Sequence, residues 1–178
     1  MRARLLFFAC FCLYSPLCAG EFWMSGLLPS DRPVDVYVNP ESGCAVISTS
    51  LALSKMGESA TLEGLVSEFS KFGAEPYSLL DIMCVLDKYG VKAEPVRFDK
   101  KSDIFNFDFN YAILYLNEGG QKVGHFSFCF RGKDGGLWIA DPKFAGRCVL
   151  FAKDSRVFDS FTGIIVKMRK PSESKEKS

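Results

Sequence analysis

The stretch Asn39–Gly57 reads NPESGCAVISTSLALSKMG, and the rest of the chain is organised around it. Asn39, Pro40, Glu41, Ser42 and Gly43 are a run of turn-favouring residues that delivers Cys44 to the start of an apolar segment. Ala45, Val46, Ile47, Leu51, Ala52, Leu53 and Met56 predict a helix there, and Gly57 is a natural stop just past its end. A thiol at a helix N-terminus lies among unpaired N–H groups at the positive end of the macrodipole. That setting favours the thiolate, the nucleophilic form. A cysteine so placed calls for a base, and the chain has a single histidine, His125.

Downstream of Gly57 the helical period continues. Thr61 is a predicted N-cap, followed by Leu62, Leu65, Val66 and Phe69 at i, i+3, i+4 and i+7, with Gly73 as the stop. Ser78 and Asp81 form a capping-box pattern ahead of Leu79, Ile82, Met83 and Leu86, and Gly90 closes that third helix. Cys84, on the same helix, is expected to be a buried small hydrophobe.

From Val91 the period changes to that of strands. Val91–Phe98 is a predicted strand that Pro95 confines to a sheet edge, and Tyr111–Leu116 is a continuous apolar run expected to be a buried strand. Between them, Asp99–Phe109 is a loop with Phe105, Phe107 and Phe109 alternating. His125–Arg131 sets Phe126, Phe128 and Phe130 on one face, and His125, Ser127 and Cys129 on a less apolar one. Leu137–Ala140, Arg147–Phe151 and Gly163–Met168 complete the strands, with a short helix near Asp154–Phe158 and a possible edge strand at Asp35–Val38. Helices first and consecutive strands afterwards predict an α+β fold with a mostly antiparallel sheet.

The N-terminus has the pattern of an export signal. Arg2 and Arg4 precede an apolar run from Leu5 to Tyr14, Pro16 breaks it, and Leu17-Cys18-Ala19-Gly20 offers small residues for cleavage. The run is short for a membrane span, with an uncleaved anchor as the alternative. The expected organisation is a signal peptide over 1–19, an extended lead-in over 20–37, a catalytic domain over 38–168 and a charged tail over 169–178. An exported (periplasmic or secreted) protein follows from it.

A net charge of +1 without basic clusters argues against nucleic acid as a partner. Removing residues 1–19 leaves Cys44, Cys84, Cys129 and Cys148, none in a C-x-x-C pair. With one histidine, neither a zinc site nor another metal or cofactor is expected. Cys129 and Cys148 are the best candidates for a disulfide in an oxidising compartment, although a strand lying between theirs would keep them apart.

The register of one hairpin decides whether His125 has an acidic partner. If Gly132–Gly136 form a five-residue connection joining Arg131 to Leu137, Asp141 lies opposite Ser127 and diagonal to His125, on the same face. A two-residue turn at Asp134-Gly135 would place Asp141 on the phenylalanine face. A Cys44–His125–Asp141 triad therefore requires the longer loop.

These residues, in this order, resemble a known family. Ser42-Gly43-Cys44-Ala45, the helix between Gly57 and Gly73, and Tyr77-Ser78-Leu79-Leu80 form one half of the likeness. Gly124-His125-Phe126, Trp138-Ile139-Ala140-Asp141-Pro142 and Phe161-Thr162-Gly163-Ile164 form the other. Together, over about Val38–Met168, they resemble the bacteriocin-processing, double-glycine leader cysteine peptidases and their stand-alone relatives. The resemblance implies a papain-like fold, with Cys44 as nucleophile, His125 as base and Asp141 as orienting residue. It implies a peptide or protein substrate.

The chain departs from the family pattern at Cys44-Ala45, where Cys-Gly is usual. It also lacks the Gln that usually precedes the nucleophile as an oxyanion donor. Its only Gln is Gln121, and Asn39 is the candidate substitute. The best-known members are fused to a transporter's membrane and ATP-binding parts, and this sequence carries no P-loop.

Two classes of function are compatible with this reading. One is an exported cysteine peptidase using the triad. The other is a catalytically inactive relative that binds peptides. A cell-wall amidase is a third and weaker reading, because nothing basic or sugar-binding supports it.

Overall fold

Cys44–Met56 form a helix, α1, buried on almost every side from Ala45 to Leu53. In the computed structural model the chain is described over 43–117, 119, 124–141, 144 and 148–170, together with the backbone of 22–23 and 37–38. Two short strands, β1 (Phe22–Trp23) and β2 (Tyr37–Val38), pair antiparallel ahead of α1. At the far end of α1, Gly57 adopts a left-handed conformation (φ 76°) and its N–H reaches the Ser54 carbonyl, while the Glu58 N–H reaches that of Leu53. Only a residue without Cβ takes this closing turn without strain.

Polar side chains inside such a helix need internal partners. Thr49 donates to the Ala45 carbonyl one turn back, and Ser48 donates to the Phe126 carbonyl of a neighbouring strand.

Two further helices flank α1. In α2 (Leu62–Ser70) the Thr61 hydroxyl accepts from the Gly64 N–H, and Leu62, Leu65 and Phe69 are buried. Val66, expected on the same face, is 43% exposed. In α3 (Leu79–Lys88) the Ser78–Asp81 capping box is complete, and Ile82, Val85 and Leu86 face the core. Cys84 lies one turn beyond the exposed Leu80 on the outer face and is itself exposed, contrary to the expectation of burial. The face pointing inward is set by Ile82, Val85 and Leu86, and Cys84 falls opposite it.

The strands are β3 (Lys92–Arg97), β4 (Tyr111–Leu116), β5 (His125–Arg131), β6 (Leu137–Ala140), β7 (Cys148–Leu150) and β8 (Phe161–Arg169). A 3-10 turn at Lys101–Asn106 and a short helix, α4 (Arg156–Ser160), are the other elements named among the described residues. The sheet runs β3-β8-β4-β5-β6-β7, antiparallel throughout. The last strand is thus inserted between β3 and β4. Pro95 does sit on an edge strand, opposite Val166.

The sheet is covered on both faces. Ile113, Phe126, Phe128, Phe130, Val166 and Met168 pack against the three helices. On the reverse face Leu114, Cys129, Ile139 and Ile165 pack under Ile104, Phe109, Phe151 and Phe161. The less apolar face of β5 is therefore buried as well. Phenylalanines from the segments after β3 and β7 roof it, and Ser127 and Cys129 are fully enclosed. The architecture is α+β, with the helices packed on one face of a mostly antiparallel sheet.

Among the described residues Cys44, Cys84, Cys129 and Cys148 are free thiols. Cys129 packs on the reverse face, whereas Cys148 packs against the helix-side core, with β6 between their strands. Opposite faces and an intervening strand preclude the disulfide considered from the sequence. Burial pushes the Cys129 thiol far above its usual range and that of Cys148 up to about 12, against a smaller lowering pull from Lys55.

Candidate active site

The connection between β5 and β6 decides the site. Arg131 pairs with Leu137, so the loop is Gly132–Gly136, the longer of the two alternatives. It closes through the Gly132 N–H to the Gly136 carbonyl at 2.8 Å, and Gly135 turns it at φ 79°. Phe128 then faces Ala140, and one step further along the register Asp141 comes beside Ser127.

There the Asp141 carboxylate, 1% exposed, accepts from both neighbours on one oxygen. His125 Nε2 lies 2.5 Å from Oδ2, and the Ser127 hydroxyl donates to the same atom. A carboxylate removed from water needs such partners. The sequence put Ser127 opposite Asp141 without giving it a role. Its alternation placed it on the correct face, but only the register shows that its hydroxyl is a second donor to the carboxylate.

Cys44 approaches from the helix side. The Ser48–Phe126 bond joins α1 to β5 one turn from Cys44 and one residue from His125. Cys44 and Asp141 both act on the His125 imidazole, each favouring its protonated form. With Nε2 committed to Asp141, Nδ1 is the nitrogen left for the sulfur. Burial opposes protonation of the imidazole, but the hydrogen bonds and charges of Asp141 and Cys44 outweigh it. The His125 pKa is raised from 6.5 to about 9. At neutral pH the ring is therefore an imidazolium beside the Asp141 carboxylate.

Gly43, the N-cap of α1, supplies no side-chain cap, and no acidic residue occupies the first turn. The leading N–H groups of the helix are left to other partners. Asn39, the proposed second oxyanion donor, lies outside the described residues, as does Pro142 after Asp141.

Three concavities are lined by these side chains or by their neighbours. A narrow cleft of about 70 Å³ is lined by Cys44 together with Gly43, Glu75 and Gly124. It shares Pro76, Tyr77, Gly124 and Phe126 with a wider hollow of about 260 Å³ that extends to Leu79 and Tyr115. A third, of about 470 Å³, is lined by His125, Ser127 and Asp141 together with Arg156 and Asp159 of α4. Among the described residues no group of three or more His, Cys, Asp or Glu side chains is gathered to hold a metal.

The same architecture occurs in solved peptidase domains. A double-glycine motif protease from an AMS/PCAT transporter, solved in complex with the leader peptide, superposes with a TM-score of 0.61 at 21% identity. The match covers 77% of this chain and 91% of that one. The peptidase domain of Streptococcus ComA, a bi-functional ABC transporter involved in a quorum-sensing pathway, gives 0.58 at 17% identity, covering 71% and 90%. No curated protein matches the sequence. Residues 35–173, which include Cys44, His125 and Asp141, match the Peptidase C39 family, and the chain belongs to that family.

Proposed function

We propose that this protein is an exported cysteine peptidase that cleaves peptide bonds through Cys44, His125 and Asp141. The observation that carries the reading is the 2.5 Å contact of His125 Nε2 with the buried Asp141 carboxylate, on an imidazole whose proton affinity Asp141 and Cys44 both raise. Membership of the C39 family supports a peptide substrate. So does the structural neighbour solved with a leader peptide.

In the reaction the Cys44 sulfur, paired with the His125 imidazolium, adds to the carbonyl carbon of the scissile bond. The oxyanion is met by the Cys44 backbone N–H, with Asn39 as the proposed second donor. The C–N bond then breaks, and the leaving amine takes its proton from His125. Neutral His125 next deprotonates a water that attacks the thioester, and the acid product leaves with Cys44 and His125 restored to the ion pair. Asp141 holds the ring orientation and stabilises its charge throughout.

The test is the pH dependence of Cys44 alkylation by iodoacetamide, resolved by site, in the native chain and in His125→Ala. Labelling of Cys44 well below pH 7 that is lost in His125→Ala supports the reading. Labelling that follows an ordinary thiol in both proteins overturns it and favours a peptide-binding module without catalysis.

A further inference from the structure

The cleft beside Cys44 contains a charge that the proposed reaction does not use. Glu75 lies in the segment between α2 and α3, and its carboxylate is pressed against the Cα of Gly43. A Cβ built at Gly43 would overlap that carboxylate, with Oε2 only 2.7 Å away. Gly43 and Glu75 thus form one wall of the narrow cleft that holds Cys44. Glu75 is exposed, and its carboxylate has neither a hydrogen bond nor an ion pair among the described residues. At Gly124, which also lines the cleft, a Cβ would collide with the Tyr115 ring. The aromatic side chains of Tyr77, Phe126 and Tyr115 line the hollow beyond.

The chemistry assigns an orientation to this cleft. In cysteine acyl transfer the acyl half of the substrate becomes bonded to sulfur, and the leaving amine departs from the side of the imidazole. Glu75 lines the same cleft as Cys44, and His125, from whose side the amine departs, is not among the residues lining that cleft. The Glu75 side therefore receives the part of the peptide that precedes the scissile bond.

We propose that Glu75 is a specificity-determining residue that selects a peptide with a positively charged group on the acyl side, close to the bond cleaved. This deepens the peptidase reading and rests on it. An unpaired carboxylate in a narrow crevice next to backbone walls attracts an ammonium or guanidinium, and it repels an anionic side chain at the same position. The cleft is narrow beside the sulfur, so the cation comes from a residue next to the one joined to Cys44 or from a free α-amine. A carboxylate at this place also complements the positive end of α1, but that role alone would alter stability and not the choice of substrate.

Two measurements on the full-length chain separate these outcomes. The first compares Cys44 modification by cationic 2-aminoethyl methanethiosulfonate and anionic 2-sulfonatoethyl methanethiosulfonate, resolved by site. The expected rate ratio favours the cation, falls by about 5- to 10-fold in Glu75→Gln and inverts in Glu75→Lys, with the contrast shrinking at high salt. The second uses a fluorogenic peptide library with Lys, Gly or Glu at each acyl-side position, with free or acetylated N-termini. A basic preference at one position that collapses in Glu75→Gln identifies a side-chain cation. A preference abolished by acetylation identifies the α-amine. If no peptide is cleaved but the reagent ratio shifts with Glu75, the cation site stands and the peptidase reading fails. An unchanged ratio in Glu75→Gln, or cleavage indifferent to charge, overturns the proposal while leaving the peptidase reading intact.

Discussion

The Ser48 hydroxyl donates a 2.8 Å hydrogen bond to the Phe126 carbonyl, and this bond spans the two elements that carry Cys44 and His125. Both ends are buried. Ser48→Ala removes the donor without adding volume and is expected to cost about 1 kcal/mol of stability. If the bond sets the distance between nucleophile and base, kcat falls while KM stays nearly constant. Denaturant unfolding together with steady-state kinetics on a cleaved peptide checks both effects.

Asp141 holds His125 through a single oxygen that Ser127 also serves. Asp141→Asn keeps the shape but offers the ring an amide in place of a charge. The expected loss in kcat is between about 10- and 10,000-fold, the upper end being the serine-triad value. Ser127→Ala is expected to lower kcat less, and to shift the acidic limb of Cys44 labelling because the Asp141 carboxylate loses one donor. Site-resolved alkylation across pH measures that shift.

The raised pKa of His125 makes stability depend on pH in a defined direction. Its ordinary value of 6.5 rises to about 9 in the folded chain. Below pH 6.5 both the folded and unfolded states hold the proton, and the full stabilisation is present. Between pH 6.5 and 9 the unfolded state gives up its proton first, so stability falls as pH rises, by on the order of 3 kcal/mol in total. Chemical denaturation at intervals across this window should show the decline, and His125→Ala should flatten it.

Gly124 precedes His125 directly under the Tyr115 ring. Gly124→Ala forces either the ring or the start of β5 to move, and is expected to cost about 1–3 kcal/mol. Because His125 is the next residue, activity should fall more than stability alone explains. Restoring space with Tyr115→Ala in the same chain should recover part of both, as thermal melts and peptide hydrolysis would show.

The free thiols differ in access. Cys84 is exposed and Cys129 is fully buried on the reverse face of the sheet. A neutral maleimide should modify Cys84 in the native protein and reach Cys129 only at the rate of unfolding. Time-resolved mass spectrometry distinguishes the two, and rapid native labelling of Cys129 would contradict the roofed sheet.

Local chemistry made much of this protein readable from the residues alone. The boundaries of α1, the Thr61 cap, the Ser78–Asp81 capping box and the edge position forced by Pro95 all follow from interactions within a few residues of each other. The alternation in β5 and the length of the Gly132–Gly136 loop were sufficient to state the condition under which Asp141 meets His125. Which loop forms was not decided locally, because both turns satisfy the same Asp134-Gly135 pair; the pairing of Arg131 with Leu137 settled it.

Tertiary structure alone decided the rest. The insertion of β8 between β3 and β4 depends on contacts between segments far apart in the chain. So does the roof of phenylalanines that buries Ser127 and Cys129. Cys84 and Val66 have the apolar character and spacing of core residues, yet they face outward, since the orientation of a helix is set by what it packs against. Glu75 carries no sequence pattern at all. Its place against Gly43, beside Cys44, arises because the segment linking α2 to α3 crosses the start of α1, and only the assembled fold brings that carboxylate to the sulfur's cleft.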